Sequence, residues 1–82
     1  MTKMEEKLIE LGYEFDHYAY RKPIGDIDCA IIIIIFTNKN MNKIVSYYVI
    51  NGIVKSQEQI NNLQQAYNEM QKDLEVLRQC YE

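Results

Sequence analysis

From Cys29 to Phe36 the chain reads CAIIIIIF, eight apolar residues in a row with five consecutive isoleucines. Alternate residues of a strand point to opposite sides of a sheet, so a strand of this composition needs apolar cover on both sides. Its neighbours are patterned differently. YEFDHYAY, residues 13 to 20, places Tyr13, Phe15, His17 and Ala19 on one side and Glu14, Asp16, Tyr18 and Tyr20 on the other, the alternation of a half-buried strand. KIVSYYVI, residues 43 to 50, separates Ile44, Ser46, Tyr48 and Ile50 from Val45, Tyr47 and Val49. Turn residues divide these stretches: Pro23 and Gly25 in RKPIG, the polar TNKNMN over residues 37 to 42, and Asn51-Gly52. Ile53-Val54 either adds a strand stub or leads into the next element.

Two stretches carry helical spacing. Near the start, Met4, Leu8 and Leu11 recur at four and three. Thr2 and Glu5 form a Thr-x-x-Glu capping box in front of them, and Gly12 is placed to end the helix in a left-handed conformation. Toward the end, Ile60, Leu63, Tyr67, Met70, Leu74, Leu77 and Tyr81 recur at 3, 4, 3, 4, 3, 4 behind a second box, Ser56 and Gln59.

The pattern predicts a single α+β domain over residues 1–82, in the order α-β-β-β-α. The helices cover about 2–11 and 56–81, and the strands about 13–20, 27–37 and 43–50. Short connections favour a three-stranded antiparallel meander with the isoleucine strand in the centre and the long C-terminal helix packed on the sheet. The other face then needs the first helix, a second copy or a partner. A helix of about 25 residues is ~38 Å long, whereas an eight-residue strand is ~27 Å. The last helix therefore overhangs, and either the first helix packs beneath it or its seam meets another chain.

Net charge is −3, from nine basic and twelve acidic residues. That balance lacks the basic stripe that drives phosphate binding, which argues against a nucleic-acid partner. The isoleucine run is too short to span a bilayer, and MTKMEEKLIELG has acids where a leader has its basic and apolar regions. A cytoplasmic protein with no membrane role is the expectation. Two cysteines, Cys29 and Cys80, make no disulfide framework and read as reduced thiols.

Candidate chemistry is sparse. His17 is the sole histidine and has no serine or cysteine placed beside it as a partner. Asp26 and Asp28, with Asp16 or Glu14, could face a hard cation, but no calcium-loop pattern is present, and solvation of a strand entry explains them as well. Neither cysteine has the companions of a zinc site. Three glycines leave little room for a phosphate cradle. The expectation is no enzyme, no metal and no cofactor.

Seven tyrosines in 82 residues stand out. Tyrosine joins an apolar ring to a polar tip and suits interfaces, though ordinary packing also uses it. The candidate interface comprises Tyr18, Tyr20, Tyr47, Tyr48, Tyr67, Met70, Leu74, Leu77 and Tyr81.

Leu11-Gly12-Tyr13 at the end of the first helix, Tyr18 to Arg21, the isoleucine run, Asn51-Gly52 and the capping Ser56 together resemble small uncharacterised phage and prophage proteins of low-GC Gram-positive bacteria. The resemblance spans nearly the whole chain. It implies a mobile-element origin and carries no assigned activity. Some anti-CRISPR proteins have a similar element order. The expected function is a non-enzymatic accessory protein that binds another protein, such as a host or defence factor. The alternatives are a homodimer whose distal helices and sheet faces pair, or a small nucleic-acid- or ligand-binding module.

Overall fold

The structure, a computed structural model, describes residues 2–25, 28–38 and 41–80. Helix α1 spans Lys3–Glu10, followed by strands β1 (Glu14–Asp16), β2 (Ala19–Pro23), β3 (Cys29–Asn38) and β4 (Met41–Asn51), and then helix α2 (Gln57–Arg78). The strands form one antiparallel sheet in the order β1-β2-β3-β4. The α+β class and the inner position of the isoleucine strand are as the sequence predicts.

The first helix start is built by the full expected capping box, and the second by its Ser56 half. Thr2 accepts from the Glu5 amide while the Glu5 carboxylate accepts from the Thr2 amide, at 3.3 and 2.9 Å. These bonds to Thr2, the backbone one first, hold the Glu5 carboxyl below its ordinary range. At α2 the Ser56 hydroxyl accepts from the Gln59 amide at 3.2 Å. The Gln59 side chain turns back to accept from the Lys55 amide. At the end of α1, Gly12 has φ +100°, its amide bonds to Ile9 and the Tyr13 amide bonds to Leu8. That is the Schellman arrangement, which satisfies the last carbonyls and turns the chain into the sheet.

The expected strand over residues 13 to 20 is instead a hairpin, so the sheet has four strands rather than three. Asp16 pairs with Ala19 across a two-residue turn, His17-Tyr18. His17 takes φ +60°, a left-handed conformation usually left to glycine or asparagine. The reversal ends the simple alternation of this stretch: Tyr20 turns to the buried side and Tyr18 lies in the turn. At the other hairpin the strands run to Asn38 and from Met41, further than expected, and residues 39 and 40 lie outside the described residues. Residues 52 to 55 form no fourth-strand stub; they lead to α2, with Ile53 and Val54 exposed.

The core answers what covers the isoleucines. Cys29, Ile31 and Ile33 pack in one cluster with Met4 and Leu8 of α1, Tyr13 and Tyr20, and Ala66, Met70, Leu74 and Leu77 of α2. Both helices thus lie on the same face of the sheet. α1 packs beside the distal half of α2, where Met4, Leu8, Leu74 and Leu77 are all fully buried. The opposite face carries Ala30, Ile32, Ile34 and Phe36, and no helix among the described residues crosses it.

Candidate functional site

Two places merit chemical scrutiny. The first is a polar cluster inside the helix-covered side. Tyr13 donates from its hydroxyl to Oδ2 of Asp73 at 2.7 Å, and Lys22 Nζ donates to the same oxygen at 3.1 Å. Glu69 stands 3.5 Å from Lys22, whose ammonium also sits 5.2 Å from the Tyr13 ring centre. Burial, then the bond to Asp73 and its charge, pushes the Tyr13 hydroxyl far above its ordinary range. The cluster joins β2, the start of the sheet and α2. Tyr13 is 2% exposed and Asp73 5%. This arrangement gives a satisfied buried carboxylate that fixes the helix on the sheet.

The second place is the open face. Direct cross-strand pairing sets Arg21, Ile32 and Tyr48 in one row, Pro23, Ala30 and Ile50 in the next, and Ile34 opposite Ser46. Ala30 and Ile32 are themselves buried. Around them Tyr48, Ile50 and Phe36 remain 40%, 41% and 53% exposed. Asp16, His17, Tyr18, Ala19, Arg21, Ile32 and Tyr48 line a shallow hollow of about 220 Å³. Its floor is apolar and its rim carries two phenols, an acid, a histidine and an arginine. Asp16 Oδ1 lies 2.6 Å from His17 Nδ1, holding the exposed turn beside the hollow.

The candidate interface residues separate into three groups. Tyr18 and Tyr48 flank the open face. Tyr47 is half-exposed on the helix side, with the Arg78 guanidinium 6.0 Å from its ring centre, and Tyr67 is 45% exposed on α2. Tyr20, Met70, Leu74 and Leu77 are buried in the core. Burial first, then the charge and hydrogen bond of Glu5, raise the Tyr20 hydroxyl above its usual value. Tyr81 lies outside the described residues, as does Asp26.

α2 keeps most of its expected seam, with Met70, Leu74 and Leu77 buried and Leu63 packed against the core, but departs from it at four positions. Ile60 and Tyr67 are exposed, while Ala66 and Asp73 are buried. Leu63, Ala66, Met70, Asp73 and Leu77 recur at 3 and 4 as well, and this series faces the sheet. Ala66 lets the helix approach closely, and Asp73 meets Tyr13 and Lys22. A composition-based seam passes over both residues.

Among the described residues no group of histidine, cysteine, aspartate and glutamate is arranged to hold a metal ion. Cys29 and Cys80 are free thiols, and burial raises the Cys29 thiol above its ordinary value. No helix among the described residues is long and apolar enough to cross a membrane. Compared with known proteins, the chain matches no family model, no curated protein and no solved structure.

Proposed function

We propose that this chain is a non-enzymatic accessory protein that acts by binding another protein through the open face of its sheet. The observation that carries the reading is the one-sided placement of the helices. Ile32, Ile34 and Phe36 continue the isoleucine strand on the side that neither helix covers, with Tyr48 and Ile50 beside them. Apolar surface collected on one face is the usual mark of an interaction site. Tyrosines at its border add ring area with a polar tip. Glu14 and Asp16 on β1 and Arg21 and Lys43 further across supply a mixed-charge rim. The fitting partner is a protein surface with an apolar ridge, basic where it meets the β1 acids.

On the resemblance of its sequence motifs to phage and prophage proteins, the partner we propose is a host or defence factor. A cytoplasmic setting goes with it. The test is capture of a bacterial protein by the wild-type chain, repeated with Ile34→Glu and Phe36→Glu. Both variants keep the helix-side core and are expected to lose the partner while retaining the wild-type circular dichroism. A partner held equally well by both variants contradicts the assignment of this face.

A further inference from the structure

We infer that two copies of this chain join edge to edge through β4, antiparallel, into one continuous eight-stranded sheet with the helices of both copies on the same side. This goes beyond the binding function proposed above and does not depend on it.

The two edges of the sheet are unlike. β1 is three residues long and carries Glu14 and Asp16, both exposed. Short, charged edges resist pairing with another chain. β4 is eleven residues long, and from Ser46 to Gly52 it reads SYYVING without a charge. A two-fold pairing of β1 would oppose acids to acids. The same operation on β4 opposes no like charges.

Backbone geometry fixes how the pairing runs. The Gly52 amide donates to the Asp28 carbonyl at 2.8 Å. Antiparallel ladders alternate between bonded and non-bonded pairs. With the register of Ile50 to Ala30, Tyr48 to Ile32 and Ser46 to Ile34, these three bond to β3. Tyr47, Val49 and Asn51 therefore aim their amides and carbonyls away from the sheet. None of those groups takes a hydrogen bond among the described residues. A bulge, where the register shifts between Ile34 and Ile35, leaves Val45 unpaired and bounds this free stretch on one side. The end of the strand at Asn51 bounds it on the other.

Val49 is the centre of the free set. A two-fold axis there sets Val49 against Val49 of the second copy and Tyr47 against its Asn51, satisfying all three outward donor–acceptor sets in each chain. Tyr48 then lies against Ile50 of the second copy on the open face, an aromatic–β-branched pair of the favourable kind. Tyr48 and Ile50 are each exposed by about two-fifths in the single chain. Because the axis is perpendicular to the sheet, the two open faces become one surface.

Light scattering across a dilution series, with a register-specific cross-link, tests the pairing. The wild-type chain is expected to show a dimer mass that falls on dilution. Val49→Pro removes an outward amide, which an edge strand tolerates, together with the partial packing of the Val49 side chain on the helix-side core. It is expected to be monomeric with unchanged helical signal. In a Cys80→Ser background, chains with Tyr48→Cys mixed with chains with Ile50→Cys are expected to oxidise to a covalent dimer, and each alone to form none. Facing α-carbons of a non-bonded pair lie ~4.5 Å apart, within disulfide reach. A monomer at every concentration overturns the inference, as does a dimer that Val49→Pro leaves intact without the mixed cross-link. Should Val49→Pro unfold, the mixed cross-link decides: its formation supports the register and its absence refutes it.

Discussion

The Tyr13 hydroxyl donates a 2.7 Å hydrogen bond to Asp73, sixty residues further along the chain. It joins the residue that follows Gly12 at the end of α1 to the inward side of α2. A buried carboxylate is costly to desolvate unless it is bonded, and Asp73 also takes Lys22 at 3.1 Å. Tyr13→Phe is expected to cost about 2 kcal/mol, the worth of a hydrogen bond to a charged group. Asp73→Ala is expected to cost more, about 3 kcal/mol, because it leaves the buried Tyr13 hydroxyl without its acceptor and Lys22 with Glu69 alone. Urea unfolding followed by circular dichroism measures both. Equal stability of Asp73→Ala and the wild type would remove the cluster from the account.

Alkaline pH should weaken the fold. Burial raises Cys29, Tyr13 and Tyr20, with Asp73 and Glu5 adding to the effect at the two tyrosines. In the unfolded chain these groups lose their protons near their ordinary values, about 8.5 for a thiol and about 10 for a phenol. The folded chain keeps them protonated to higher pH. Their contribution is therefore complete below those values and is lost as pH rises through the window up to the folded pKa. Each group adds a slope of at most about 1.4 kcal/mol per pH unit. Stability measured from pH 8 to 11 is expected to fall, and Tyr13→Phe to flatten the upper part of that fall. A flat profile to pH 11 would contradict the burial of these groups.

Substitutions along the isoleucine run should become cheaper where burial gives way, between Ile33 and Ile34. Ile31 and Ile33 are fully buried beneath the helices, whereas Ile34 is partly exposed on the open face. Ile31→Ala and Ile33→Ala are expected to cost about 3 kcal/mol each. Ile34→Ala is expected to cost about 1 kcal/mol, since less area leaves contact. Equal costs at positions 33 and 34 would mean that both faces are covered in the folded chain.

Gly25 should be intolerant. It has φ +72°, and a β-carbon there would fall 2.4 Å from the Asn62 side-chain oxygen. Asn62 itself donates to the Ile24 carbonyl at 3.0 Å and ties α2 to the end of β2. Gly25→Ala is expected to cost about 2 kcal/mol, from left-handed strain and displacement of Asn62. Asn62→Ala is expected to cost about 1 kcal/mol. Combining them should cost less than the sum, because the clash and the bond involve the same side chain. Strict additivity in that cycle would show that Gly25 and Asn62 do not meet.

Local signals in the sequence were reliable where the chemistry is local. The capping residues Thr2, Glu5 and Ser56, and Gly12 at the end of α1, act where their spacing places them, while Gln59 reaches one residue further back, to the Lys55 amide. The turn at His17-Tyr18 escaped notice because it lacks the glycine or asparagine that normally marks a left-handed position. Asp73 escaped because its partners, Tyr13 and Lys22, are distant in sequence, so a polar residue inside an apolar seam reads as solvent-facing. The alternation within the isoleucine run was legible, but not which side the helices take. That depends on connections between elements, and here both helices share one face. The tyrosines could not be sorted by composition: Tyr13 and Tyr20 are core, while Tyr18 and Tyr48 border the open surface.

The most direct test of the binding face is site-specific photo-cross-linking in bacterial cytoplasm, with a benzophenone side chain at Tyr18, Phe36 or, as a control, Gln71. Tyr18 and Phe36 border the open face, and Gln71 is exposed on α2. A discrete protein adduct from positions 18 and 36 but not from 71 is the predicted result. An adduct from position 71 with none from the sheet positions would place the binding surface on the helix and contradict the account.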